Sequence, residues 1–315
     1  MKGKRPGNGA TGDDLSRRDF LKRAMAATAG AALASGVLGS ALAAEPEKKS
    51  LVVVVTSDSV IGKDRPADAK IVRRMLDRGV CELSGKVEPT EAWRSFIQPS
   101  DAVVVNEAGT WLPNVPEVLL GVMSAAAQAS PKTLKLACYS RRPQEQDWVK
   151  TIKAGLKELG IPASAMDTSL ISRISTEPFT VLIMVPTLKS HEVAGVSGVI
   201  KHFATISKEG PQGHHPNAMK TAGSVIVPQF GHLRKLIIVD ALRFYRTLEG
   251  EHYFQKSLIF GTDPVATDTI ALDLFLKHCI ALSKIPPRLH IEAADKEYKA
   301  GTCDRAKIEV RTVEL

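Results

Sequence analysis

Six short apolar runs, rich in β-branched residues and separated by longer stretches of helical periodicity, constrain this chain most. They are "LVVVVTS" from Leu51, "DAVVVNE" from Asp101, "TLKLACYS" from Thr133, "FTVLIMVPTL" from Phe179, "KLIIVDAL" from Lys235 and "KSLIFGTD" from Lys256. Runs this short and continuously apolar are strands buried on both faces. The spacing predicts helices over Ala67–Leu83, Val115–Ala129, Glu145–Leu159 and Ala194–Ser207, and one more in "DPVATDTIALDLFLKHC". In that last segment Asp263 is the expected N-cap and Pro264 the first helical residue. Alternating strands and helices give an α/β fold: a mainly parallel, doubly wound sheet with helices on both faces. The segment Glu209–Gly223 reads as a long loop, and the tail after Pro286 as an irregular C-terminal extension.

The amino terminus stands outside that pattern. It reads "SRRDFLKRAMAATAGAALASGVLGSALAAEP", with paired Arg17 and Arg18, a weakly apolar Ala/Gly run and an Ala41-Leu42-Ala43 cleavage site. Those features make an export leader of the twin-arginine (Tat) type over residues 1–43, leaving 44–315 as a single α/β domain in the periplasm. The run is too weakly apolar for a stable membrane anchor, so the Tat machinery is the expected partner. Residues 1–43 hold seven Lys/Arg and three Asp/Glu, half of the net charge of +8. The remainder carries no long basic run, and nucleic acid is not an expected partner.

Cys81, Cys138, Cys279 and Cys303 are widely spaced, without a C-x-x-C pair, so no iron–sulfur cluster is expected. In an oxidising compartment they leave one or two disulfides open, with no pairing deducible. A phosphate-binding G-x-x-x-x-G-K-[ST] loop and a G-x-S-x-G nucleophile elbow are absent.

In an open α/β sheet, ligands gather outside the carboxyl ends of the strands. Those ends carry Asn106 and Glu107, Ser140 and Arg141, Lys189 and His191, Asp240, and Thr262 and Asp263. "PTLKSHEVAGVSGVIKHFATIS", from Pro186, is the richest of them. Lys189 and His191 leave a strand, Gly195 and Gly198 enter a helix, and Lys201 follows. Lysines beside free helix N–H groups suit a small anion such as a carboxylate or phosphate, with Asn106 alongside and His191 as acid/base. A solvated helix start is the competing reading.

Six of the eight histidines fall between His191 and His252. His214 and His215 in the Gly/Pro loop, His232, and Asp240 as an oxygen ligand would form a divalent-metal site, although no fixed ligand spacing is present. Metal is the only cofactor the residues suggest. Asp268 shares a helix face with Val265, Leu272 and Phe275, where a carboxylate needs a partner or a raised pKa. It is a candidate general base. The turn Glu249–His252 is a softer candidate.

With those residues in place, the chain resembles the Tat-exported members of the DUF362 family from about Val52 to Leu282. The resemblance rests on "EAWRSFIQPSDAVVVN", "VPTLKSHEVAGVSGVIKHF", "LIIVDAL" and "FGTDPVATDTIALDLF". It implies site roles for Lys189, His191, Lys201, Asp240, Asp263 and Asp268. Relatives with ferredoxin-like cysteine motifs imply a redox setting for those members, and this chain lacks the motifs. It also departs at Val105, where relatives tend to have lysine before the asparagine, and at His202, where asparagine often follows the lysine. The leading expectation is a periplasmic enzyme acting on a small anionic substrate in a redox or isomerisation step. The alternative is a non-catalytic protein that holds a metal or cofactor for a redox partner.

Overall fold

The computed structural model describes residues 49–107, 112–139, 146–245, 252–278 and 288–315. The strands are β1 (Ser50–Thr56), β2 (Ala102–Glu107), β3 (Thr133–Ala137), β4 (Met166–Asp167), β5 (Val181–Val185), β6 (Lys189–His191), β7 (Gly195–Ser197), β8 (Arg234–Ala241), β9 (Phe244–Tyr245), β10 (His252–Tyr253), β11 (Ser257–Gly261) and β12 (Ile308–Glu314). The helices are α1 (Ala69–Ser84), α2 (Pro89–Arg94), α3 (Pro116–Gln128), α4 (Gln146–Glu158), α5 (Val199–Ile206), α6 (Gly210–His214), α7 (Ala218–Thr221), α8 (Ile226–Phe230), α9 (Pro264–His278) and α10 (Leu289–Lys296). Each of the six apolar runs forms a strand.

Eight strands make one sheet in the order β12-β1-β11-β8-β5-β2-β3-β4. All pairs are parallel except those of β11, which is antiparallel to both β1 and β8. Alternate residues of each strand feed two cores on opposite faces. Val53, Val55, Val103, Val105, Ile183 and Phe260 join the helices that follow β1, β2 and β3. Val52, Val54, Val104, Leu182, Met184 and Ile259 join α5 and α9. The α/β architecture with helices on both faces is therefore present.

The chain leaves β2 towards β3 on one side of the sheet, and β5 returns to pair with β2 on the other. The helices after β2 and β3 pack on one face, and those after β5 on the other. The junction of β2 and β5 is thus the topological switch point, the place where open α/β sheets bind their ligands.

Three expectations need correction. The segment 209–223 is folded into α6, α7 and a short 3-10 turn, because His214, Ala218 and Ala222 bury against the core. The C-terminal extension is not irregular. It contributes α10, and then β12, which pairs in parallel with β1 along its whole length. The predicted helix from Ala194 begins only at Val199, since Gly195–Ser197 turn back on β6 as a hairpin. Among the described residues Cys81 and Cys303 are free thiols, Cys138 is buried at the end of β3, and Cys279 lies outside the described residues. The leader, Ser140, Arg141 and Glu249 to Glu251 also lie outside the described residues.

Candidate functional site: a buried basic cluster at the switch point

Past Val185 the chain stays beside β8, where Asp240 donates its N–H to the Pro186 carbonyl (2.9 Å). It then folds into the β6–β7 hairpin, with Lys189 opposite Ser197 and His191 opposite Gly195. Gly195 has φ of 81°, a left-handed conformation that favours glycine. The His191 ring closes the hairpin from inside. Its Nδ1 accepts the N–H groups of Val193 and Ala194, both at 3.1 Å. Nδ1 is therefore unprotonated, and the neutral ring carries its proton on Nε2.

Helix α5 begins immediately beyond, and its amino terminus is not open to a ligand. Asp268, reaching over from α9, accepts Val199 N–H on Oδ1 and Ile200 N–H on Oδ2, both at 2.9 Å. A carboxylate on an apolar helix face thus finds its partners as a cap supplied by a second helix. His290 from α10 lies 3.7 Å from Oδ2, and its own Nδ1 is buried without a hydrogen-bond partner. At Gly198 a Cβ would stand 2.1 Å from Asp268 Oδ1, so glycine is what lets the carboxylate approach. Both oxygens of Asp268 are thus engaged by backbone N–H groups at the start of α5.

The first turn of α5 carries Lys201 and His202. Lys201 is 2% exposed and Lys189 5%. Lys201 Nζ donates a long hydrogen bond to Thr205 Oγ1 (3.4 Å). Burial lowers its pKa from 10.5 to about 8. His202 is buried, and its Nε2 meets Asn106 Oδ1 at 2.5 Å, while Asn106 Nδ2 donates to the Ala137 carbonyl at 3.1 Å. Asn106 thereby ties the end of β2 to α5. Burial first, then Lys189 and Lys201, hold His202 well below the usual imidazole range.

His191 and His215 are half-buried, with ring centroids 5.3 Å apart. Burial lowers the His191 pKa to about 3, followed by repulsion from Lys201, His215, Lys189 and His290. His215 is lowered by burial, then by Lys201 and His214. Among the described residues the leading charges that perturb these rings are positive. The cluster runs from half-exposed imidazoles inward to buried amines, an arrangement that disfavours a cation and favours an anion.

The other candidates are placed elsewhere. Asp240 Oδ2 accepts Val115 N–H (2.8 Å) and Asn114 Nδ2 (3.2 Å), and Oδ1 accepts Leu242 N–H (3.3 Å). It ties the entry of α3 to β8, and burial pushes its pKa up. His214 is buried between Ser207 Oγ (3.3 Å) and Thr221 Oγ1 (3.2 Å). His232 is exposed, two residues before β8 and so at the amino edge. His214, His215, His232 and Asp240 do not converge, and among the described residues no group of three His, Cys, Asp or Glu is placed to hold a metal ion. Asp263 lies at the amino edge because β11 runs antiparallel. There it accepts Val265 and Ala266 N–H, Thr302 N–H and the Ser50 hydroxyl.

The structure thus brings together Lys189, His191, Lys201 and Asn106, and it adds His202, His215 and His290. His290 carries no motif, and the only signal for it is the apolar face it shares with Ile291 and Ala294 on α10.

Residues 142–273 match the family model described as "Domain of unknown function (DUF362)". Over that segment the chain is similar to the DUF362 family. The segment includes Lys189, His191, Lys201, His202 and Asp268, whereas Asn106, His290 and β12 lie outside the matched residues. No curated protein and no solved structure matches the chain. The DUF362 segment alone therefore holds both lysines of the cluster and the aspartate that caps their helix.

Proposed function

We propose that this protein is exported to the periplasm and there binds a small anionic molecule, as an enzyme of a redox or isomerisation step. The reading rests on one observation: two lysines, each at most 5% exposed, lie at the switch point with imidazoles whose leading perturbing charges, among the described residues, are positive. A carboxylate or phosphate at the cluster would relieve that repulsion and accept hydrogen bonds from Lys201 Nζ and His191 Nε2–H. His191 serves such a ligand as a neutral donor, because its Nδ1 is already engaged by two backbone N–H groups. The export reading rests on the twin-arginine leader at Arg17 and Arg18.

Calorimetric titration with oxalate, sulfate and phosphate tests the binding. The wild-type chain is expected to bind at least one of them at a single site, and Lys189→Met and Lys201→Met to lose that binding. Equal affinity in the wild type and both variants, or no binding of any of the three, would sink the reading. Export is tested separately: replacement of Arg17 and Arg18 by lysine should leave the chain in the cytoplasm of a Tat-competent host.

A further inference from the structure

Taking the anion reading as its basis, we infer that Lys201 is a nucleophile and that the ligand is a 2-oxo acid, held by imine formation at Lys201 with its carboxylate at Lys189. Several independent features of the fold converge on that lysine. It is buried, and Thr205 Oγ1, at 3.4 Å, is its hydrogen-bond partner. It stands in the first turn of α5, where Gly198 and the Asp268 cap fix the start of the helix and so the place of the amine. Lys189, His191, His202, His214 and His215 belong to the same cluster, and among the described residues burial is the one influence resolved on the Lys201 amine.

Those conditions favour the neutral amine, the form that attacks carbonyl carbon. Burial brings the pKa to about 8, so about a tenth of the amine is uncharged at pH 7 and about half at pH 8. The partly exposed His191 and His215 give the cluster an outer side from which a small molecule can enter.

The step needs no oxidant or reductant. The amine lone pair of Lys201 forms a C–N bond to the ketone carbon, giving a carbinolamine. The two amine protons then leave with the former carbonyl oxygen as one water, and the imine remains. Neutral His191 hydrogen-bonds through Nε2–H and gives up no proton, since loss of that proton would leave an imidazolate.

Trapping tests this directly. The full chain is incubated with pyruvate and sodium borohydride, and the modified peptide is located by mass spectrometry. We expect one reduced pyruvate on Lys201, with a labelling rate half-maximal near pH 8 and not near 10.5. Oxalate, which has carboxylates but no ketone, should protect Lys201, and Lys201→Arg should lose the label. A parallel melting curve shows whether that variant folds, and oxalate protection of the wild type stands as evidence independent of it. An unlabelled Lys201, a label on Lys189, labels spread over exposed lysines such as Lys150 and Lys296, or labelling that oxalate does not slow would each overturn the inference. If oxalate binds but pyruvate does not label, the imine falls and the anion site stands. If neither occurs, both fall.

Discussion

Burial is the influence that acts on the charge of Lys201, and to a lesser extent on that of Lys235. Lowering an ammonium pKa from 10.5 to about 8 corresponds to about 3 kcal/mol of penalty on the charged form. Lys201→Met removes that penalty while filling similar volume, so the variant should be no less stable than the wild type at pH 7, and up to about 3 kcal/mol more stable. Urea denaturation at pH 7 checks this, and a variant that melts well below the wild type would contradict it. Asp268 has the opposite character. Asp268→Asn retains one acceptor but turns an amide N–H towards the second backbone N–H, and should cost about 1–3 kcal/mol by the same assay. Gly198→Ala should cost a similar amount by displacing the same carboxylate. The quoted stretch from Pro186 showed that two lysines and two glycines belong together. It did not show that Gly198 serves Asp268, seventy residues later in the chain, because a spatial partner that distant leaves no local pattern.

At the scale of elements, the six buried strands were legible because both of their faces are apolar. Their directions were not, because a strand has the same composition whichever way it runs. The reversal of β11 carries Asp263 to the amino edge, where four donors surround it. Asp263→Ala should therefore destabilise the fold by about 1–2 kcal/mol through loss of the α9 cap, with anion affinity unchanged in the calorimetric titration. A loss of anion binding at unchanged stability would instead return Asp263 to the site. β12 escaped notice for the converse reason. It is an edge strand, largely exposed from Glu309 to Glu314, and its pattern "IEVRTVE" lacks the apolar run that marked the others. The β6–β7 hairpin was missed because its strands are three residues long and are held by the His191 ring as much as by the ladder.

For the whole molecule, the crowding of imidazoles makes stability depend on pH with a definite sign. His191 is lowered to about 3 from 6.5, and His202, His214, His215 and His252 are lowered as well. In that window the unfolded chain binds more protons than the folded one. The contribution of these imidazoles is therefore fully present above pH 6.5 and is lost as the pH drops from 6.5 towards 3. Asp240, whose pKa is raised by burial, opposes this trend as a single group. Urea midpoints should be lower at pH 5 than at pH 7, and a midpoint that rises on acidification would contradict the buried, neutral state assigned to the cluster. The alternation of strands and helices points to the carboxyl ends of the strands, but the switch point between β2 and β5 follows only from the spatial strand order. Which of the polar strand ends would meet there was decided by the direction of β11 and by caps drawn from distant helices.

The most direct check on the anion site is the melting temperature of the full chain from pH 6 to pH 10, with and without oxalate. Lys201 loses its charge as the pH rises through about 8, so the stabilisation by oxalate should be large at pH 7 and shrink above pH 8. A shift that stays constant across that range, or that is equally large in Lys201→Met, would place the anion elsewhere on the molecule.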